Sequence, residues 1–332
     1  MDALLGLLVA LYVLGVLAWS MARQTPIGRI WLFELADIFA GIWLYVPLLL
    51  LLPLSLLRRH RRASLWLCVP LALLLADQGA LFVPRPGPGP GQSLRVLTAN
   101  LMYQNADAAD FAALVHTEHP DLVAVQELSW DMAGPLADAL REAYPYQTLA
   151  PSAAPDGLGI FSRLPFEDVV PADIGPPPGP CYCQAVSVRL GGRAVQVLNA
   201  HPGPPDVGVR RLGPLPLPVH FDDGTGLPDR RQLLQRLDAA HLPLLLLGDL
   251  NTAERQPYYA QLRQRLADTH REVGWGPGWT FPSPPVGPLP VPLVRIDYVL
   301  HSSEWRAAAE HTGLTPGSDH RHVVADLVLQ SQ

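Results

Sequence analysis

Three long apolar runs open the chain. Residues 3–22 (ALLGLLVALYVLGVLAWSMA) carry no charge over twenty positions, which at about 1.5 Å per residue covers the roughly 30 Å hydrocarbon core of a bilayer. A second run covers 30–57 and a third 64–83. Three such runs, stacked before any globular pattern, predict transmembrane helices rather than one buried core helix. A cleaved signal peptide does not fit, because the first run has no basic leader or small-residue cleavage site and two more spans follow it.

The pattern changes at residues 84–93, PRPGPGPGQS, a Pro/Gly-rich stretch that reads as a semi-extended linker. The chain therefore divides into a membrane anchor (1–83), a linker (84–93) and a folded domain (94–332). In that domain short apolar runs alternate with amphipathic stretches. Strands are expected at 94–99, 122–126, 157–161, 185–190, 194–199, 244–247, 294–300 and 322–328, with Gly191-Gly192 closing a hairpin. Helices are expected at 108–116, 132–143, 231–241 and 255–266. Residues 202–228 and 274–292 are rich in Pro and Gly and are candidate functional loops.

Charge separates the regions further. Up to residue 93 there are seven arginines and four acidic residues; beyond it there are seventeen arginines and twenty-six acidic residues, and the chain has no lysine. An acidic domain without a basic cluster is a poor platform for nucleic acid, whose binding depends on neutralising phosphates. Arg58, Arg59, Arg61 and Arg62 lie between the second and third runs, against Arg23 and Arg29 between the first and second. Positive loops stay inside, so the N-terminus is expected in the cytoplasm and the domain on the extracytoplasmic side of the cell membrane. Glu34, Asp37, Asp77 and Gln78 would then lie toward the outer face, either hydrated at the interface or lining a route for a lipid headgroup.

Polar residues at the ends of the apolar runs carry the candidate chemistry. Glu127 ends the run at 122–126, where a carboxylate leaving a sheet can ligate a divalent ion, with Asn100 assisting from the first strand. Asp249 and Asn251 follow four leucines and a glycine. Two apart on extended chain they face the same way, which suits a base or water-orienting group beside a phosphate-oxygen donor. His201 and His320 supply imidazoles, and Asp297 is the expected carboxylate partner of His320. Cys181 and Cys183 are separated by one residue and read equally as a tight disulfide or as two free thiols.

These motifs fall in a recognisable order: TAN ending at Asn100, QE at Glu127, GLGIFSRLP from Gly157, NAH at His201, GDLN from Gly248, RIDYVL around Asp297 and SDH at His320. Together they resemble the endonuclease/exonuclease/phosphatase superfamily, whose deoxyribonuclease I-like fold is a four-layered α-β-β-α sandwich. The resemblance runs from about Leu94 to Leu329. It implies Glu127 as the main Mg2+ ligand (Mn2+ being the alternative), assisted by Asn100, with Asp319 as a further metal-side carboxylate. It also implies Asp249 and Asn251 orienting water and phosphate, and His201 and His320 stabilising the transition state, with Asp297 supporting His320. With three spans in front, the chain is similar to the membrane-bound VanJ-type branch associated with glycopeptide-antibiotic resistance.

The leading expectation is a membrane-anchored, metal-dependent phosphohydrolase acting on a phosphate ester or diphosphate, lipid-linked in the sharpest form, at the outer bilayer face. Competing readings are an extracytoplasmic nuclease or phosphodiesterase, which the acidic domain disfavours, and a non-catalytic resistance or sensor scaffold, which the complete ligand set disfavours.

Overall fold

The computed structural model describes every residue except Met1, Pro84, Pro86, Pro88, 175–180, 213–214, 225–226, 288–289 and Gln332. Part of the expected linker thus lies outside the described residues, and Gln92 and Ser93 already belong to the first strand. The chain forms two compact units: Met1–Val83 with Asp206–Asp223, and Pro84–Pro205 with Gly224–Gln332.

The first unit contains α1 (Asp2–Ala22), α2 (Trp31–Ile38), α3 (Ala40–Leu57) and α4 (Arg61–Gln78). Three stretches, Ala3–Ala22, Ala40–Leu57 and Arg61–Phe82, are long and apolar enough to cross a membrane. The run expected at 30–57 is two helices. They part at Phe39, where φ −92° and ψ 16° leave the helical region. The shorter piece, α2, carries Glu34 and Asp37, and Asp37 lies 3.6 Å from Arg23. Carboxylates paired at a helix connection avoid the cost of entering hydrocarbon. Val9, Val13, Leu48 and Leu67 form a buried stripe among the helices, while Leu49, Leu50 and Leu57 point outward.

The second unit begins with β1 (Gln92–Asn100), α5 (Ala108–Glu118), β2 (Leu122–Gln126), α6 (Trp130–Leu140), β3 (Tyr146–Ala150), β4 (Leu158–Ser162), β5 (Phe166–Asp173), β6 (Cys183–Leu190) and β7 (Arg193–Ala200). A hairpin, β8 (Asp206–Leu212) and β9 (Leu215–Asp222), then belongs to the first unit. The chain continues through α7 (Pro228–Asp238), β10 (Leu244–Asp249), α8 (Pro257–Arg263), β11 (Ala267–Asp268), α9 (Thr269–Val273), β12 (Asp297–His301), β13 (Trp305–Leu314) and β14 (Arg321–Leu329). Residues 202–228, expected to be a loop, thus contain strand pairing, and β3, β5 and β13 were not expected from the sequence pattern. All three are strands at or next to a sheet edge with mixed burial, so none reads as a continuous apolar run or a clean alternation.

The strands form two six-stranded sheets, β13-β14-β1-β2-β4-β3 and β11-β12-β10-β7-β6-β5. Val96, Ala124, Val323 and Ala325 from one meet Val186, Val197, Leu247 and Val299 from the other in a central core. The outer face of the first sheet is covered by α5 and α6 through Phe111, Val115, Leu136 and Leu140. That of the second is covered by α7 and α8 through Leu233, Leu237, Tyr258 and Leu262. The result is the expected four-layered α-β-β-α sandwich. Local signals start the helices where they belong: Asp107 accepts from Asp110 N to cap α5, and Ser129 accepts from Met132 N to cap α6.

Strand direction gathers the chemistry at one end. β1 runs parallel to β2 and β7 parallel to β10, while β12 and β14 run antiparallel to β10 and β1. The last residues of β1, β2, β7 and β10 therefore lie at the sheet ends where β12 and β14 begin. Cys181 and Cys183, left open by the sequence, are joined by a disulfide.

Candidate active site

Two backbone features place the carboxylates. Gly248 has φ +147°, and a Cβ there would stand 1.9 Å from the Ala200 carbonyl oxygen, so only glycine lets β10 finish this close to β7. The following residue, Asp249, is then in register opposite Asp297 of β12. Glu127 and Asn251 both take left-handed conformations, φ 55° and 48°. Non-glycine residues are rarely held there, and such conformations cluster at functional sites.

Asp249 is the hub. Its Oδ2 accepts a 3.0 Å hydrogen bond from Asn100 Nδ2 and lies 3.5 Å from His201 Nε2 and 3.7 Å from His320 Nε2. Its Oδ1 accepts from the Asn251 backbone N–H at 2.9 Å. Asn100 Nδ2 also donates to Glu127 Oε1 at 2.9 Å, and Glu127 Oε2 accepts from Tyr103 N. His320 Nδ1 bonds the Asp297 carboxylate at 3.0 Å. Seven of the eight residues singled out in the sequence thus form one constellation. The eighth, Asp319, acts electrostatically on His320. The Asn251 side-chain amide donates to the Pro202 carbonyl and ties the GDLN turn to the loop after His201.

The electrostatics are those of a buried ion cluster. Burial opposes a charge on His320, yet Asp297 and Asp249 outweigh it and hold the imidazole at a pKa of about 10. Burial likewise opposes the Asp249 carboxylate, but His320 and His201 hold it at about 2. His201 is also raised, its burial overcome by Asp249 and Glu127. At neutral pH Asp249 is an anion between two imidazoles, of which His320 is a cation braced by Asp297.

A divalent cation fits this donor set. Glu127 and Asp249 offer hard carboxylate oxygens, the ligand type that magnesium-like ions prefer, and the Asn100 amide nitrogen holds both of them while its oxygen accepts from Met102 N. Asp249, Asp297 and His320 also lie close enough together, with one ligand atom each within 4.8 Å of the others. In that trio, however, His320 Nδ1 is already engaged by Asp297 and the ring is positive, so the Glu127 side is the better cradle.

Several supporting residues were not assigned roles in the sequence. Gln126 donates to Asn199 Oδ1 at 2.7 Å and to Thr98, and Asn199 donates to the Val125 and Gly159 carbonyls. All three polar side chains are fully buried and bolt the two sheets together beside the site; a satisfied buried network of this kind fixes register. Their only signal was position, next to Ala99, Glu127 and Ala200 within the TAN, QE and NAH motifs. Arg230, buried against the Tyr258 ring, donates to the carbonyls of Gly203 and Asn251, and Asp229 accepts from Gly203 N. Together they brace the loops that carry His201 and Asn251. Ser318 bonds the Asn100 carbonyl and accepts from His320 N, while the Phe281 ring packs 4.8 Å from that of His320.

An α-β-β-α sandwich with carboxylates, an amide and two imidazoles at one end of its paired sheets defines a class of phosphoester hydrolases. Residues 97–320, more than half of the chain, match the endonuclease/exonuclease/phosphatase family, and the chain belongs to it. It is similar to the solved endonuclease/exonuclease/phosphatase of Beutenbergia cavernae (25% identity, TM-score 0.55), with 72% of each chain covered. It is also similar to that of Bacteroides vulgatus (15% identity, TM-score 0.54), with 72% of this chain and 99% of the other covered. The human Nocturnin catalytic domain, solved with a bound sulfate anion, shares the fold at 18% identity and a TM-score of 0.51, over 72% of this chain and 94% of the other. No curated protein matched the sequence.

Proposed function

We propose that the protein is a membrane-anchored, Mg2+-dependent phosphohydrolase that cleaves a phosphate ester or diphosphate, lipid-linked in its natural form, at the extracytoplasmic bilayer face. The observation that carries the hydrolase reading is the convergence on Asp249 of Asn100, His201 and His320, with Asp297 behind His320. The lipid and topology readings rest on the three apolar helices, the arginine-rich loop between the last two, and the acidic, lysine-free domain.

Glu127, assisted by Asn100 and bordered by Asp249, would hold the cation, which when bound supplies Lewis-acid polarisation of a phosphoryl oxygen. The chain's own groups do the rest. Asp249, an anion at neutral pH, accepts a hydrogen bond from the attacking water and aims its lone pair at phosphorus. His320, cationic and fixed by Asp297, donates to a phosphoryl oxygen as charge builds in the transition state. The raised His201 adds a second donor from Nε2. Asn251, by holding the Asp249 carboxylate through its backbone N–H, limits the water to one approach. The branch resembled in sequence, the VanJ type, fits this setting.

Full-length protein in detergent, assayed on phosphomonoesters, phosphodiesters, lipid diphosphates and DNA with and without EDTA, tests the proposal. Turnover of a lipid diphosphate that EDTA abolishes and Mg2+ restores is expected, with DNA the poorest substrate. Metal-independent turnover, or DNA as the best substrate, would sink it.

A further inference from the structure

The hairpin β8–β9 is rich in apolar residues and proline. Its strands and tip read DVGVRRLGPLPLPVHFD, and the stretch from Leu212 to Val219 has no charged residue. Among its described side chains, Val207, Val209, Leu217 and Val219 are each 42–54% exposed. Exposed apolar residues grouped on one small element mark an interaction surface rather than the scatter normal on a soluble protein. The hairpin also does not pair with either sheet; its strands pair only with each other.

Its company indicates the occupant. The hairpin is part of the same compact unit as the apolar helices, and β9 packs on α2, the short helix that precedes the second candidate span. Arg210 and Arg211 are exposed on the same strand as Val207 and Val209. Apolar side chains flanked by arginines suit the boundary between acyl chains and anionic headgroups. By sequence, the hairpin starts five residues after His201 and ends seven residues before Asp229, so both of its ends lead to segments that frame the site.

From this we infer that the β8–β9 hairpin engages the surface of the protein's own bilayer, with Val209, Leu217 and Val219 entering the headgroup boundary and Arg210 and Arg211 binding anionic lipid. The inference rests on the membrane-anchored reading above and gives it a second, non-helical contact. A soluble protein partner with an apolar face is the competing occupant.

Full-length protein carrying Cys68→Ser, with Cys181 and Cys183 held in their disulfide, is reconstituted in nanodiscs after single cysteine replacement and fluorophore labelling at Val209, Leu217, Val219, Leu49 or Glu142. Lipids bearing a shallow nitroxide are expected to quench the three hairpin labels about twofold or more over Glu142. The Leu49 label, on a candidate span, reports anchoring independently through a deep nitroxide. Quenching at Leu49 without quenching at the hairpin overturns this inference and leaves anchoring intact. No quenching at Leu49 overturns both. Replacing Arg210 and Arg211 with Gln is expected to weaken hairpin quenching in discs containing anionic lipid and not in purely zwitterionic discs; equal quenching in all of them removes the headgroup role.

Discussion

The helical unit and the sandwich unit put opposite chemistry outside. Leu49 and Leu50 of α3 are 68% and 67% exposed, whereas Leu244 to Leu247 of β10 are almost wholly buried. In the sandwich unit charges go inside instead. Arg295 is buried with Asp268, at 3.0 Å through its Nη1, and also pairs with Glu254. Leucine is abundant in both, so composition alone does not explain the difference; the outward leucines of the first unit lie on helices long and apolar enough to cross a membrane. A leucine facing hydrocarbon costs nothing, while one facing water forgoes about 25 cal/mol for each Å² left exposed. Conversely, ions enter the sandwich only where other ions and hydrogen bonds receive them.

The largest test of this contrast is at the site. Replacing Asp249 with Ala removes the anion between the two imidazoles and should lower kcat/KM by about 10³-fold, the order seen when a transition-state-stabilising group is deleted. A loss under tenfold in a folded variant would mean that the buried cluster is structural. Next comes the ion network beneath it. Arg295→Met leaves Asp268 buried without its cation, while Glu254 keeps Arg271, and should cost about 3–5 kcal/mol in unfolding experiments; an unchanged transition would show that the remaining hydrogen bonds are enough to hold Asp268.

A pair of leucines compares the units directly. Leu50→Asp in α3 should raise the cost of membrane insertion by about 3 kcal/mol, read as loss from the membrane fraction. Leu314→Asp, at a comparably exposed position in β13 (53%), should change stability by no more than about 0.5 kcal/mol. Equal effects would erase the distinction. The narrowest test is a titration, whose effect appears only below about pH 6.5. His322 is buried against Gly313, and burial pushes its pKa down from 6.5 to about 4, outweighing the attraction of Glu118. The unfolded chain then binds the proton first. This contribution is full above pH 6.5 and is lost as pH falls toward 4, at up to about 1.4 kcal/mol per pH unit. His322→Gln should flatten that part of the stability curve; an unchanged slope would show that other groups set it.

Much of the site could be read in the sequence because it was local. Asn100, Glu127, His201 and Asp249 each lie at or just past the end of an apolar run, and a buried strand that ends in a polar residue delivers that residue to the sheet edge. The spans were legible for the same reason, since length and hydropathy are properties of one segment. What was missed depended on pairing. The edge strand β3 and the hairpin β8–β9 have no continuous apolar run, and the break at Phe39 lies inside one. Arg230 fell just outside the expected helix, and Asn199 looked like an ordinary strand residue, until the segments they brace were brought beside them.

By itself, then, the sequence determined which residues could do chemistry and which segments were long and apolar enough to cross a membrane, because both follow from side-chain type and local order. Only the tertiary structure decided that Asp249 lies between His201 and His320, that Gln126 bonds Asn199 across the two sheets, and that residues 206–223 join the helical unit. Those outcomes depend on distances between residues far apart in the chain, and such distances are fixed by strand pairing and packing rather than by any one segment.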